Sequence, residues 1–160
     1  MVRFVSFFIL SFVIGCGAES DSHDHHGHND HMEHGGVGDA SRDGADTYAA
    51  GLEKLGSSGH FTLRLMNSAP ILRNTGLYTW TLMVLGPDGE PMTGLSIQAE
   101  PTMPDHGHGT DPRYTEGAPT DEDGLYELKD MDLHMEGIWN VMIRITSQDG
   151  VRDEAAYTFY

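Results

Sequence analysis

Residues 139–145 read Trp-Asn-Val-Met-Ile-Arg-Ile. Trp139, Val141, Ile143 and Ile145 occupy every second position, with Asn140, Met142 and Arg144 between them. A period of two places the four apolar side chains on one face of an extended segment and the polar ones on the other, which describes a half-buried β-strand. Ser147-Gln148-Asp149-Gly150 follows and supplies turn chemistry. Beyond it Ala155, Tyr157 and Phe159 repeat the same alternation.

Working outward from this stretch, the pattern recurs. Tyr126 and Leu128 follow the turn Asp121-Glu122-Asp123-Gly124. Leu95, Ile97 and Ala99 alternate with Ser96, Gln98 and Glu100. Tyr78, Trp80, Leu82 and Val84 share one face of a longer segment that ends in Gly86-Pro87-Asp88-Gly89, where Pro presets φ and Gly accepts a positive one. Phe61, Leu63 and Leu65 come first. About seven short strands separated by turns, with no sustained helical period, predict an all-β domain: an immunoglobulin-like antiparallel sandwich over residues 56–160. Both tryptophans fall on inward positions and need no role beyond packing. Residues 47–55, TYAAGLEKL, read as a short helical turn leading into the domain.

The chain before this domain has a different character. Residues 1–15, MVRFVSFFILSFVIG, carry Arg3 and then a compact apolar run too short to span a bilayer, and read as an export signal. They end in Val13-Ile14-Gly15-Cys16, which resembles a bacterial lipobox. That resemblance implies cleavage before Cys16 and lipid attachment to it, and so a protein on the periplasmic side of the cell envelope, tied to a membrane. Residues 16–55 are then a tether, rich in Gly, Asp, Ser and His and poor in large apolar side chains, of a composition that stays disordered. Cys16 is the sole cysteine. The domain accordingly has no disulfide, and Cys-ligated zinc, His₂Cys copper and Cys-x-x-Cys-His haem sites are excluded.

The net charge is −16, and loss of residues 1–15 with Arg3 makes it −17. Nucleic acid and anionic lipid headgroups, which need basic surface, are excluded as partners, while cations are drawn in. Signatures of hydrolases, zinc proteases and nucleotide binding are missing. The Asp121–Gly124 turn lacks the further oxygen ligands of a calcium loop. No activated nucleophile or acid–base pair is visible, and the chain is not expected to be an enzyme.

Imidazoles and thioethers carry what chemistry there is. Six of the twelve residues from His23 to His34 are histidine: His23, His25, His26, His28, His31 and His34. This tract reads as metal-binding by composition, without fixed geometry. Within the domain, Met103, His106 and His108 lie in Pro-Thr-Met-Pro-Asp-His-Gly-His-Gly-Thr, residues 101–110, and Met131, His134 and Met135 lie in a second cluster. Thioether sulfur favours Cu(I), and imidazole serves Cu(I), Cu(II) and Zn(II). A folded site of His106, His108 and His134 with Met103 or Met135 is the expectation. Core packing is the competing reading for Met103, Met131 and Met135, and chance surface placement for the histidines. His60 reads as structural, and Met66, Met83, Met92 and Met142 as packing or surface residues.

Residues 75–160 resemble the YtkA-like domain, related to the FixH group. The resemblance rests on the strand 77–85, on PDGEPMTGLSIQAEPTMPDHGHGT, on DGLYELKDMDLHMEGIWNVMIRI and on the closing AAYTFY. Met103-Pro104 with His106 and His108, and Met135-Glu136-Gly137-Ile138-Trp139, are its most specific pieces. It implies an exported immunoglobulin-like domain and copper handling, with a copper-accepting or oxidase-assembly protein as partner. Three functions stay open: a lipid-anchored copper carrier, chaperone or buffer; a zinc- or nickel-scavenging lipoprotein; and a structural envelope module that binds a protein through a sheet edge.

Overall fold

A computed structural model describes residues 44–72 and 75–160. The export signal, Cys16 and the six tract histidines lie outside the described residues. Nine strands are present: β1 Leu52–Leu55, β2 Thr62–Ala69, β3 Gly76–Leu85, β4 Ser96–Met103, β5 His108–Gly109, β6 Thr115–Pro119, β7 Leu125–Leu133, β8 Trp139–Thr146 and β9 Arg152–Phe159. All pairings are antiparallel, and the order is β1-β2-β3-β7-β6-β4-β8-β9, with β5 added to β4.

The expected all-β class holds, and the expected pair of separate sheets needs amending. β6 joins two walls: Thr115 and Glu116 pair with β4, and Gly117 to Pro119 pair with β7. Gly117 is the crossing point, where a Cβ would press on Ile97 of β4. On the far side, β1 and β9 approach each other. There the Asp46 N–H donates to the Thr158 carbonyl at 2.6 Å, Thr158 N–H donates to the Asp46 carboxylate at 2.9 Å, and Ser57 N–H donates to the Glu154 carbonyl at 2.8 Å. The result is a nearly closed, barrel-like sheet of nine strands in place of about seven.

Residues 44–55, expected as the end of the tether, belong to the barrel. Leu52 to Leu55 form β1 in register with Leu65 to Thr62, in place of the expected helical turn. Tyr48 explains the difference. Its ring meets Phe159 edge-on at 6.3 Å and its hydroxyl accepts from Ser68 N–H, so the segment has a core partner that no local pattern announces.

The inward residues are those of the alternation: Leu63 and Leu65, Tyr78 to Val84, Ile97 and Ala99, Tyr126 and Leu128, Trp139 to Ile145, and Ala155 to Phe159. Trp80 and Tyr157 are fully buried, with rings edge-on at 5.8 Å. In β7 the phase changes. Tyr126 and Leu128 point inward, then Met131 and Leu133 do so. The register slips between Tyr78↔Met131 and Trp80↔Leu128, and Asp130 takes a φ of 57° to absorb the extra residue. This bulge leaves Asp132 and His134 on the outward side at the end of the strand.

Candidate metal centre

β4 ends at Met103 and turns tightly back. His106 N–H and Gly107 N–H both donate to the Met103 carbonyl, at 3.2 and 2.9 Å. Gly107 has a φ of 67°, a conformation that costs glycine nothing. The chain then returns as β5, with His108 opposite Met103 and Gly109 opposite Thr102. Gly109 is required there, because a Cβ would stand 2.7 Å from the Pro101 carbonyl oxygen.

This turn presents both histidines to solvent, their ring centroids 5.7 Å apart and their planes at 76°. A metal bound to imidazole lies about 2 Å from nitrogen and hence roughly 3 Å from the ring centre, so two imidazoles on one ion have centres no more than about 6 Å apart. The pair meets that limit. His108 Nδ1–H donates to the Gly109 carbonyl at 3.1 Å, which assigns the proton to Nδ1 and leaves Nε2 as the metal-binding nitrogen.

The second cluster stands at the same end of the barrel. Thr102 pairs with Asn140, so Met103 and Trp139 lie at one level on neighbouring strands. Met103 is buried, and its terminal methyl lies 2.8 Å from where a Cβ on Gly137 would stand. The candidate soft ligand Met103 is therefore a packing residue that docks the β7–β8 loop on the end of β4. Met131 is fully buried, as core packing requires. Met135 is half-buried. With Tyr78, Leu133, Trp139 and Phe159 it lines an open cleft of about 380 Å³.

His134 does not join the other two histidines. It is exposed, with Nδ1 3.4 Å from Asp132 Oδ2 and its ring 6.3 Å from that of Trp139. Among the described residues, no three or more His, Cys, Asp or Glu side chains gather as metal ligands would. The expected site of His106, His108 and His134 is thus corrected to a pair and a separate single histidine. β4 and β7 belong to opposite walls, with Met103 and Trp139 buried between them. His60 is an exposed loop residue whose backbone N–H donates to Asp153 at 2.8 Å.

The far end of the loop that begins at the turn is held by a residue that sequence alone did not single out. Glu100 is buried on β4, and its two carboxylate oxygens each lie 2.5 Å from a guanidinium, that of Arg144 on β8 and that of Arg113 in the loop before β6. Arg144 above all, then Arg113, hold the Glu100 carboxyl below the usual range against the opposing effect of burial. Its one legible signal is position: Glu100 and Arg144 fall on outward registers of two strands that pair.

A sequence profile described as YtkA-like matches residues 59–144. Comparison with curated proteins gives no match. Among solved structures the chain is similar to a copper-bound variant of FetP from uropathogenic Escherichia coli strain F11, at 14% identity and a TM-score of 0.45, over 70% of this chain and 90% of that one. The profile takes in β2 to most of β8, earlier at its start than the resemblance at residues 75–160 and without β9. Matched over more than half its length, the chain belongs to the YtkA-like family.

Proposed function

We propose that the protein binds copper outside the cytoplasm as a carrier, chaperone or buffer, held to a bacterial membrane by lipid on Cys16. One observation carries the copper reading: the β4–β5 turn holds the His106 and His108 rings 5.7 Å apart and exposed, within the span of two imidazoles on one ion. Two imidazoles on a solvent-facing turn leave coordination positions open. An open set suits an ion that is to be passed on better than one that is to be retained. The charge of −16 raises the local concentration of cations around the site. The His23–His34 tract adds capacity with little selectivity. The strand order, β2-β3-β7-β6 against β4-β8-β9, supports an immunoglobulin-like reading of the fold.

The test uses the full chain with the six tract histidines replaced by alanine. In that background, His106→Ala with His108→Ala is expected to lower copper affinity at least tenfold, read by competition with a chromophoric chelator. Unchanged affinity would refute the paired site. Preference for Zn(II) over both copper states would turn the reading to zinc scavenging, where imidazole serves equally well. Cys16→Ser is expected to move the protein from the membrane fraction to the soluble one. Retention in the membrane would refute the lipid anchor.

A further inference from the structure

His134 is left over by the paired site, and its surroundings are specific. Asp132 Oδ2 lies 3.4 Å from its Nδ1, on the same outward register two residues earlier. A carboxylate on one ring nitrogen fixes the tautomer and raises the basicity of the other, the arrangement that orients metal-bound imidazoles in general. Nε2 is thereby the donor. Opposite stands Trp139, the ring centroids 6.3 Å apart and the planes at 61°. The indole cannot turn away, because its Nε1–H donates to the Met135 carbonyl at 2.9 Å. The same bond folds the β7–β8 loop so that Met135 borders one cleft with Trp139.

We infer that His134 and Trp139 form a second seat for copper, selective for Cu(I) and independent of His106 and His108. The inference rests on the copper reading above. An ion about 2 Å from Nε2 lies roughly 3 Å from the imidazole centre. Placed between the rings, it stands within the ~6 Å over which an indole face attracts a cation. Indole is the strongest of the aromatic faces for this purpose, and burial of Trp139 keeps water from competing for it. The Met135 thioether is the soft donor supplied by the adjoining position. One imidazole, one thioether and one π-face make a poor set for Zn(II) or Cu(II) and a good one for a soft monovalent ion. Trp139, first read as a packing residue, becomes the residue that sets selectivity.

The experiment titrates the full chain, tract histidines replaced, with Cu(I) under anaerobic conditions and follows indole emission. Trp80 is fully buried and serves as the constant background. With His106→Ala and His108→Ala added, one equivalent of Cu(I) is expected still to quench emission, while His134→Ala loses at least tenfold in affinity. Asp132→Asn, which leaves the core untouched, is expected to lose several-fold. Trp139→Phe is expected to weaken Cu(I) in a chelator competition and to leave Zn(II) unchanged. An indole response that disappears with His106 and His108, or survives loss of His134, overturns the second seat and leaves the first standing. Failure of the parent chain to bind copper at all overturns both.

Discussion

The methyl of Met103 and the α-carbon of Gly137 meet with no room between them, so that a Cβ at Gly137 would stand 2.8 Å from Met103 Cε. Gly137 also has a φ of 128°, which side chains rarely adopt. Gly137→Ala should therefore destabilise the protein by about 1–3 kcal/mol through combined crowding and backbone strain. A urea melt checks it. Pairing it with Met103→Ala in a double-mutant cycle should recover part of the loss, because the crowded methyl is then gone.

The turn that holds the paired histidines has two glycines with different demands. Gly107 has open space around its Cβ position and a φ of 67°, so Gly107→Ala costs about 1 kcal/mol of backbone strain and keeps β5 paired. A Cβ at Gly109 meets the Pro101 carbonyl at 2.7 Å and must separate β5 from β4. Copper affinity of the His106–His108 pair is expected to fall further in Gly109→Ala than in Gly107→Ala, as isothermal titration would show.

Asp153 clasps the loop before β2. Its carboxylate accepts from the backbone N–H groups of Ser58 and His60 at 2.8 Å, Phe61 at 3.3 Å and Glu154 at 2.9 Å. Burial alone would raise its pKa, but these four donors outweigh burial and hold it below its ordinary value of 3.8. A carboxyl whose folded pKa is depressed contributes stability above the unfolded pKa and loses it as pH falls through the folded one. Stability should thus decline below about pH 4, with Glu100 contributing in the same direction. Asp153→Asn should remove about 2–3 kcal/mol at neutral pH and flatten that acid limb in a pH series of melts.

Glu100 ties Arg113 to Arg144, and so the loop after β5 to β8. Glu100→Gln is expected to cost about 1 kcal/mol, since both guanidinium groups reach water once released. It should also quicken amide exchange through residues 104–114 while β2 and β3 stay protected. Uniform exchange across the barrel would sink this assignment.

The strands were legible because each apolar residue that alternates also finds the core, from Leu63 to Phe159. What was not legible is non-local. Nothing around Leu52 announces that Tyr48 reaches Phe159, so β1 was hidden among residues of tether-like composition. Closure through β6 depends on Gly117 changing partners within five residues. At the candidate site, spacing alone brought His106 and His108 together. Whether His134 joined them was a question of which wall each strand entered, and alternation is blind to that. The Asp132–His134 contact was in principle readable from period two, given the bulge at Asp130.

The clasp at Asp46 bears on how neighbouring copies treat one another. An outermost strand with unsatisfied peptide groups is an invitation to zip with a second chain. Along β9 the Thr158 N–H and carbonyl are taken by Asp46, and the Glu154 carbonyl by Ser57. Copies crowded side by side on one surface would find that margin already occupied by the protein's own backbone. A partner that docks by adding a strand to β9 would first have to peel Asp46 away.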